Sequence, residues 1–113
     1  LVLASVGLNE KTTVEENVAV VVGASKAPNH HPGTLPNTEI IKVKLVFEKS
    51  SKILIGGQVG GPENIAEMIN LIAVAIQKKM TARELANLQV ATHPLITAPP
   101  TAYPIIKAAE MVL

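Results

Sequence analysis

The stretch that decides the fold begins Gly56-Gly57-Gln58-Val59-Gly60-Gly61-Pro62 and continues from Glu63 to Met80 as ENIAEMINLIAVAIQKKM. It predicts the end of a strand, a glycine-rich turn and one long helix, with Pro62 in the first helical turn, where its missing N–H leaves nothing unsatisfied. Apolar residues recur along this helix at the spacing that marks a buried face. They are Ile65, Met68, Ile69, Ile72, Ala73 and Ile76.

The opposite side of the same helix is apolar in its middle. Glu67, Asn70 and Gln77 belong to a polar stripe, but at about 100° per residue Leu71 and Val74 fall inside it. A chain of 113 residues is too small to cover such a helix on every side. Another copy of the chain is the simplest cover, so the helix predicts a homodimer.

The amino-acid composition argues against several classes of function. Hydrophobic residues make up 48% of the chain and aromatic residues 2%, and the net charge is +1. Without a basic patch or stacking aromatics, nucleic-acid binding is not expected. The absence of Cys excludes disulfides and thiolate chemistry in this chain and fits a cytoplasmic protein. No apolar run approaches the roughly 18 residues of a membrane span, so no membrane partner is expected.

The remaining pattern predicts an α+β domain. The segment 39–48 alternates, with Ile41, Val43, Leu45 and Phe47 on one face, and 53–59 returns as its hairpin partner. Residues 18–22 are a continuous β-branched run, which predicts a strand covered on both faces, and 1–4 is either a short strand or a linker. Together these segments predict an antiparallel sheet of three to four strands packed with helices.

Helix boundary signals complete this outline. Asn9 can cap a short helix over 10–16 that Asn17 closes, and Thr81 and Glu84 form a capping box. A last helix is predicted over 105–113, with its apolar side, including Leu113, toward the core.

Few residues offer chemistry. His30 and His31 lie in a Pro/Gly loop without carboxylates at ligand spacing, so no metal site is expected. His93 precedes Pro94 in a long irregular segment between helices, where a structural histidine is favoured over a proton donor. Tyr103 is either a packing residue at a helix N-terminus or a phenol donor at a pocket edge. The glycine run 56–61 lacks a P-loop lysine, so a bulged strand end and tight turn are favoured over phosphate binding.

Several blocks taken together resemble one known family. They are Lys44-Leu45-Val46-Phe47, the run from Lys52 to Gly61, the long helix, Lys79-Met80-Thr81, Thr92-His93-Pro94 and Thr101-Ala102-Tyr103-Pro104. This set resembles the C-terminal dimerisation domain of FAD- and NAD(P)-linked disulfide reductases, within them the NADH oxidase and coenzyme A-disulfide reductase branch. The resemblance implies that residues 1–113 are a single dimerisation domain and a C-terminal fragment of a larger flavoprotein.

The same resemblance implies roles for three residues. His93 and Pro94 would project toward the flavin and redox cysteine of the partner subunit, and Tyr103 would face the thiol substrate there. In glutathione-reductase-like members an acidic residue closely follows the His-Pro pair, whereas here none occurs before Glu110. The fragment itself would hold no cofactor and would be inactive alone, with FAD and NAD(P)H bound by other domains of the parent chain.

Two other functions compete with this reading. A free-standing module that binds a small ligand or a partner would use the glycine turn and the segment between His93 and Tyr103. A small independent enzyme is the weakest alternative, because the chain has no Asp and no G-x-S-x-G motif from which to assemble a catalytic set.

Overall fold

The computed structural model describes residues 2–28, 39–62, 65–91 and 103–113. Four strands and four helices lie within these ranges. The strands are β1 (Val2–Gly7), β2 (Val20–Pro28), β3 (Ile40–Glu48) and β4 (Leu54–Gly61). The helices are α1 (Glu10–Glu15), α2 (Ala66–Gln77), α3 (Ala82–Ala86) and α4 (Pro104–Glu110).

The four strands form one antiparallel sheet in the order β1-β4-β3-β2. The alternating segment and its return form the predicted hairpin, in which β3 and β4 pair from Lys42↔Gly60 to Phe47↔Leu54. Between Val46 and Phe47 the register shifts, because β4 carries one extra residue there. The predicted α+β class, antiparallel sheet and glycine-associated bulge are therefore confirmed.

One face of the sheet carries the core. Ile41, Leu45 and Phe47 on β3 are fully buried under the helices, as the alternation predicted. Glycine permits the close approach of two helices to this face. A Cβ on Gly57 would crowd the Ile72 side chain of α2, and one on Gly23 of β2 would overlap the carbonyl oxygen of Ala108 in α4.

The helix α2 is shorter than predicted. It begins at Ala66 rather than near Pro62, because β4 continues through Gly61 and Pro62 lies in a bend whose carbonyl accepts a hydrogen bond from the Ile65 N–H at 3.2 Å. The glycine run is therefore strand rather than turn. At its other end the helix stops at Gln77, and Lys79 adopts a left-handed conformation with φ of 53°.

The side chains of α2 divide between a buried face and an exposed face as the sequence predicted, with one difference. Met68 and Ile72 are buried and Val74 is 53% exposed, whereas Leu71 lies at the margin and packs partly on the core. The outward surface is a stripe of Glu67, Asn70, Val74 and Gln77, flanked by Ala66 and Ala73; we call it the α2 stripe.

Strand β2 differs from the expectation. It begins at Val20 rather than Val18, extends to Pro28, and lies at the edge of the sheet, where its valines are only partly buried. The β-branched run predicted burial on both faces, but α4 covers only one face of this strand. A proline at the end of an edge strand is tolerated because no ladder hydrogen bond is lost there.

The predicted helix signals are mostly confirmed. The Asn9 side chain accepts a hydrogen bond from the Thr12 N–H at 2.8 Å, and Asn17 has φ of 59°. Thr81 and Glu84 form the capping box of α3. Residues 2–7 form strand β1 on β4 rather than a linker. Leu113 is 62% exposed, so its predicted core position is wrong, because α4 ends at Glu110.

Candidate functional site

The described residue that the sequence singled out, Tyr103, lies where α4 begins. It is the N-cap residue of that helix, and Pro104 occupies the first helical position, as prolines commonly do. The Ser25 hydroxyl of β2 donates to the Pro104 carbonyl oxygen at 2.5 Å. This bond and the close packing of Ala108 on Gly23 fix the start of α4 against the sheet.

The Tyr103 side chain reaches the first turn of α2. Its ring is 2% exposed, and its hydroxyl is 2.9 Å from each carboxylate oxygen of Glu67. A phenol has one proton to donate, so the two carboxylate oxygens share it. The pair joins two helices whose contacting residues are 36 positions apart in the chain.

Burial perturbs both members of this pair. Desolvation raises the pKa of Glu67 above its ordinary value, and the hydrogen bond from Tyr103 partly opposes that rise. Burial also raises the pKa of Tyr103, and the hydrogen bond to Glu67 and the negative charge of that carboxylate raise it further. The raised pKa keeps the Tyr103 hydroxyl protonated, and so able to donate, even above its ordinary pKa.

The other predicted site residues cannot be placed beside this pair. His30, His31, His93 and Pro94 all lie outside the described residues. Among the residues that the structure does describe, no group of three or more acidic or histidine side chains could hold a metal ion.

Glu67 was the partner that the sequence reasoning missed. In the sequence it is one of several polar residues of an amphipathic helix, and nothing local distinguishes it from Asn70 or Gln77. Only the packing of α4 on the sheet and on α3 brings Tyr103, at its start, to the first turn of α2. The hydroxyl is already bonded, so contact with a substrate thiol would require exchange of this hydrogen bond.

None of the described helices is both long and apolar enough to cross a membrane. The longest of them, α2, has 12 residues and spans about 18 Å.

Comparisons with known proteins agree with the fold. Residues 1–103 match the family model described as pyridine nucleotide-disulphide oxidoreductase, dimerisation domain. An NADH oxidase from Methanocaldococcus jannaschii is 31% identical over 100 residues, which are 86% of this chain and 21% of that protein.

Two solved structures are similar over nearly the whole chain. An NAD-dependent persulfide reductase from A. fulgidus has a TM-score of 0.83 and 34% identity, covering 96% of this chain and 20% of that one. The reduced CoADR-RHD of Bacillus anthracis has a TM-score of 0.85 and 27% identity, covering 97% of this chain and 19% of that one. The chain thus spans about a fifth of the length of these relatives.

Proposed function

Since this chain belongs to the family of pyridine nucleotide-disulphide oxidoreductase dimerisation domains, we propose that it is the homodimerisation domain of an NADH oxidase or coenzyme A-disulfide reductase type of flavoprotein. In this proposal, FAD and NAD(P)H are bound by other domains of a cytoplasmic parent polypeptide. The 113 residues carry no activity alone. The relatives, about five times as long, support this assignment.

The observation that carries the proposal is the α2 stripe. Val74 is 53% exposed at its centre, and the small residues Ala66 and Ala73 beside it allow another helix to approach closely. Covering the exposed part of this valine contributes about 1 kcal/mol in each copy, and two-fold symmetry doubles the gain. In this proposal α2 lies at the two-fold axis.

The Tyr103–Glu67 hydrogen bond supports a second part of the proposal. Tyr103 is bonded to Glu67 of the α2 stripe, so this residue itself is tied to the proposed subunit interface. By analogy with the family, His93 and Pro94 act at the active site of the partner subunit. Tyr103 contributes to substrate binding there.

The dimer is tested by the solution mass of the chain, measured by light scattering on a sizing column over a hundredfold range of concentration. We expect a mass near twice 11.9 kDa that persists on dilution. A mass of one chain at every concentration would contradict the proposal, because the interface would then require residues that this chain lacks.

The trans role of His93 is tested in heterodimers of the parent flavoprotein. One subunit carries His93→Ala, and the other carries a Ser replacement of the redox cysteine that the family resemblance implies. If His93 acts in trans, one active site of each heterodimer is complete and close to half of the wild-type activity remains. If His93 acts within its own subunit, both sites are defective and activity falls to that of the single mutants.

A further inference from the structure

Within residues 2–28, 39–62, 65–91 and 103–113, the face of the sheet opposite α2 and α4 is mostly uncovered; we call it the open face. Of these residues, those around Leu8 and in α1 lie on this side, at the end where Gly56 lies directly under the Leu8 carbonyl and where Val46 is fully buried. The rest is a shallow groove of about 690 Å³ that crosses all four strands. Its outward side chains include Leu3, Ser5, Lys26, Lys42, Lys44 and Gln58.

The charge on the open face is one-sided. Lys26 and Lys42 are directly opposite each other on β2 and β3, and both are exposed. Within the described residues neither ammonium group has an ion-pair partner. Like charges facing each other across a strand pair destabilise a sheet, so an anionic occupant would remove an unfavourable interaction.

The neighbouring lysine already has a carboxylate partner. The Lys44 ammonium, one pair further along β3, donates to a carboxylate oxygen of Glu10 at 2.5 Å. Glu10 belongs to α1, which this ion pair joins to the open face. A carboxylate from a covering element is thus the ligand that this surface accommodates, and Lys26 and Lys42 lack one from the described part of the chain.

The surroundings of the two lysines suit a protein surface better than a nucleotide. Leu3 is 78% exposed and Ile40 50% exposed at the same end of the sheet, which supplies apolar contact area. The aromatic side chains Phe47 and Tyr103 are both buried and offer no stacking platform. The backbone N–H groups between the strands are used in the sheet ladder, so no amide nest is available for a phosphate.

We propose that the open face docks a carboxylate-bearing surface on another domain of the same polypeptide, with Lys26 and Lys42 as the pairing residues. This rests on the proposed function in one respect, that the chain is part of a longer flavoprotein. A second copy is not the occupant, because face-to-face pairing would bring four unpaired lysines together. The open face and the α2 stripe then bind different partners, the first within a subunit and the second between subunits.

Lysine footprinting tests this. The excised 113-residue chain and the full-length polypeptide are treated with an amine-acetylating reagent, and the modification of each lysine is measured by mass spectrometry. We expect Lys26 and Lys42 to react at least roughly tenfold more slowly in the full-length protein, because a docked amine reacts only when the interface opens. Lys49, exposed in the β3–β4 turn, is the internal control and reacts equally in both.

A second test measures the unfolding temperature of one double variant in the excised chain and in the full-length protein, where we expect different effects. Lys26→Gln/Lys42→Gln relieves the repulsion in the excised chain and leaves its unfolding temperature unchanged or higher, whereas in the full-length protein it removes the docking charges and lowers that temperature. Lys49→Gln changes neither.

Three results would overturn the proposal: equal reactivity of Lys26 and Lys42 in both proteins, protection in the excised chain that grows with its concentration, or equal protection of that chain by inorganic phosphate. A monomeric excised chain whose lysines are protected only at full length would instead refute the dimer and leave the docking intact.

Discussion

Replacing Tyr103 with Phe removes the bridge between α4 and α2 while keeping the buried ring. The lost hydroxyl lies 2.9 Å from both carboxylate oxygens of Glu67. A hydrogen bond to a charged group contributes about 1.5–3 kcal/mol. Because the Glu67 carboxylate is only partly desolvated and water can replace the phenol, we expect a loss in the free energy of unfolding of about 1 kcal/mol. For a domain of this size that lowers the melting temperature by about 4 °C.

The assay is urea and thermal unfolding followed by far-ultraviolet circular dichroism, because the chain has no Trp and the substitution removes its single Tyr. Glu67→Gln is the matched control, since its amide oxygen still accepts from Tyr103. Glu67→Ala completes a double-mutant cycle with Tyr103→Phe. If Tyr103→Phe destabilises the Glu67→Ala background as much as the wild type, the hydrogen bond contributes nothing and the reasoning is refuted.

Three further predictions follow from single positions. The pKa of Tyr103 is raised above its ordinary value of 10.0, so above pH 10 the folded chain keeps a proton that the unfolded chain loses. The free energy of unfolding therefore falls as the pH rises above 10, and the absorbance of tyrosinate at 295 nm increases only when the chain unfolds. Gly56→Ala forces a Cβ into the Leu8 carbonyl and lowers the free energy of unfolding by about 2–4 kcal/mol in urea unfolding. Gly60→Ala instead crowds the end of the exposed Leu3 side chain and costs less than about 1 kcal/mol. Val74→Glu raises the dimer dissociation constant by roughly a hundredfold in light scattering, because two unpaired carboxylates enter the interface, while Val14→Glu at a 79% exposed position does not.

The elements that the sequence predicted well are those whose signal is local. Alternation alone identifies Ile41, Leu45 and Phe47 as core residues, because a strand covered on one face exposes every second side chain. The Thr81–Glu84 capping box and the left-handed Asn17 depend on residues within one turn. For the cap and the left-handed turn, the stabilising contact lies within a few positions of the residue that indicates it; for the strand, the local alternation marks the buried face although the helices that cover it are distant in sequence.

What the sequence did not predict depends on distant packing. Val20 is only partly buried because β2 lies at the edge of the sheet, and its β-branched neighbours in the sequence do not indicate this position. Pro62 is compatible with a first helical turn, but pairing of β4 with β1 extends the strand to Gly61 and delays the helix. The Tyr103–Glu67 bond has no local signal, since it exists only once the fold brings the start of α4 to the first turn of α2.

That bond also links the proposed assembly to the start of α4. Glu67 lies in the first turn of α2 and on the edge of the α2 stripe, so in the proposed dimer the pairing of two copies along this helix would remove water from its carboxylate. With less water as a competitor, the Tyr103 hydroxyl becomes a stronger partner for Glu67 in the dimer than in the monomer. Binding linkage is reciprocal, so a contact strengthened by dimerisation must itself favour dimerisation. Tyr103→Phe is therefore expected to weaken the dimer, although Tyr103 is buried and is not part of the stripe, and Glu67→Gln, which keeps the acceptor, is expected to weaken it less.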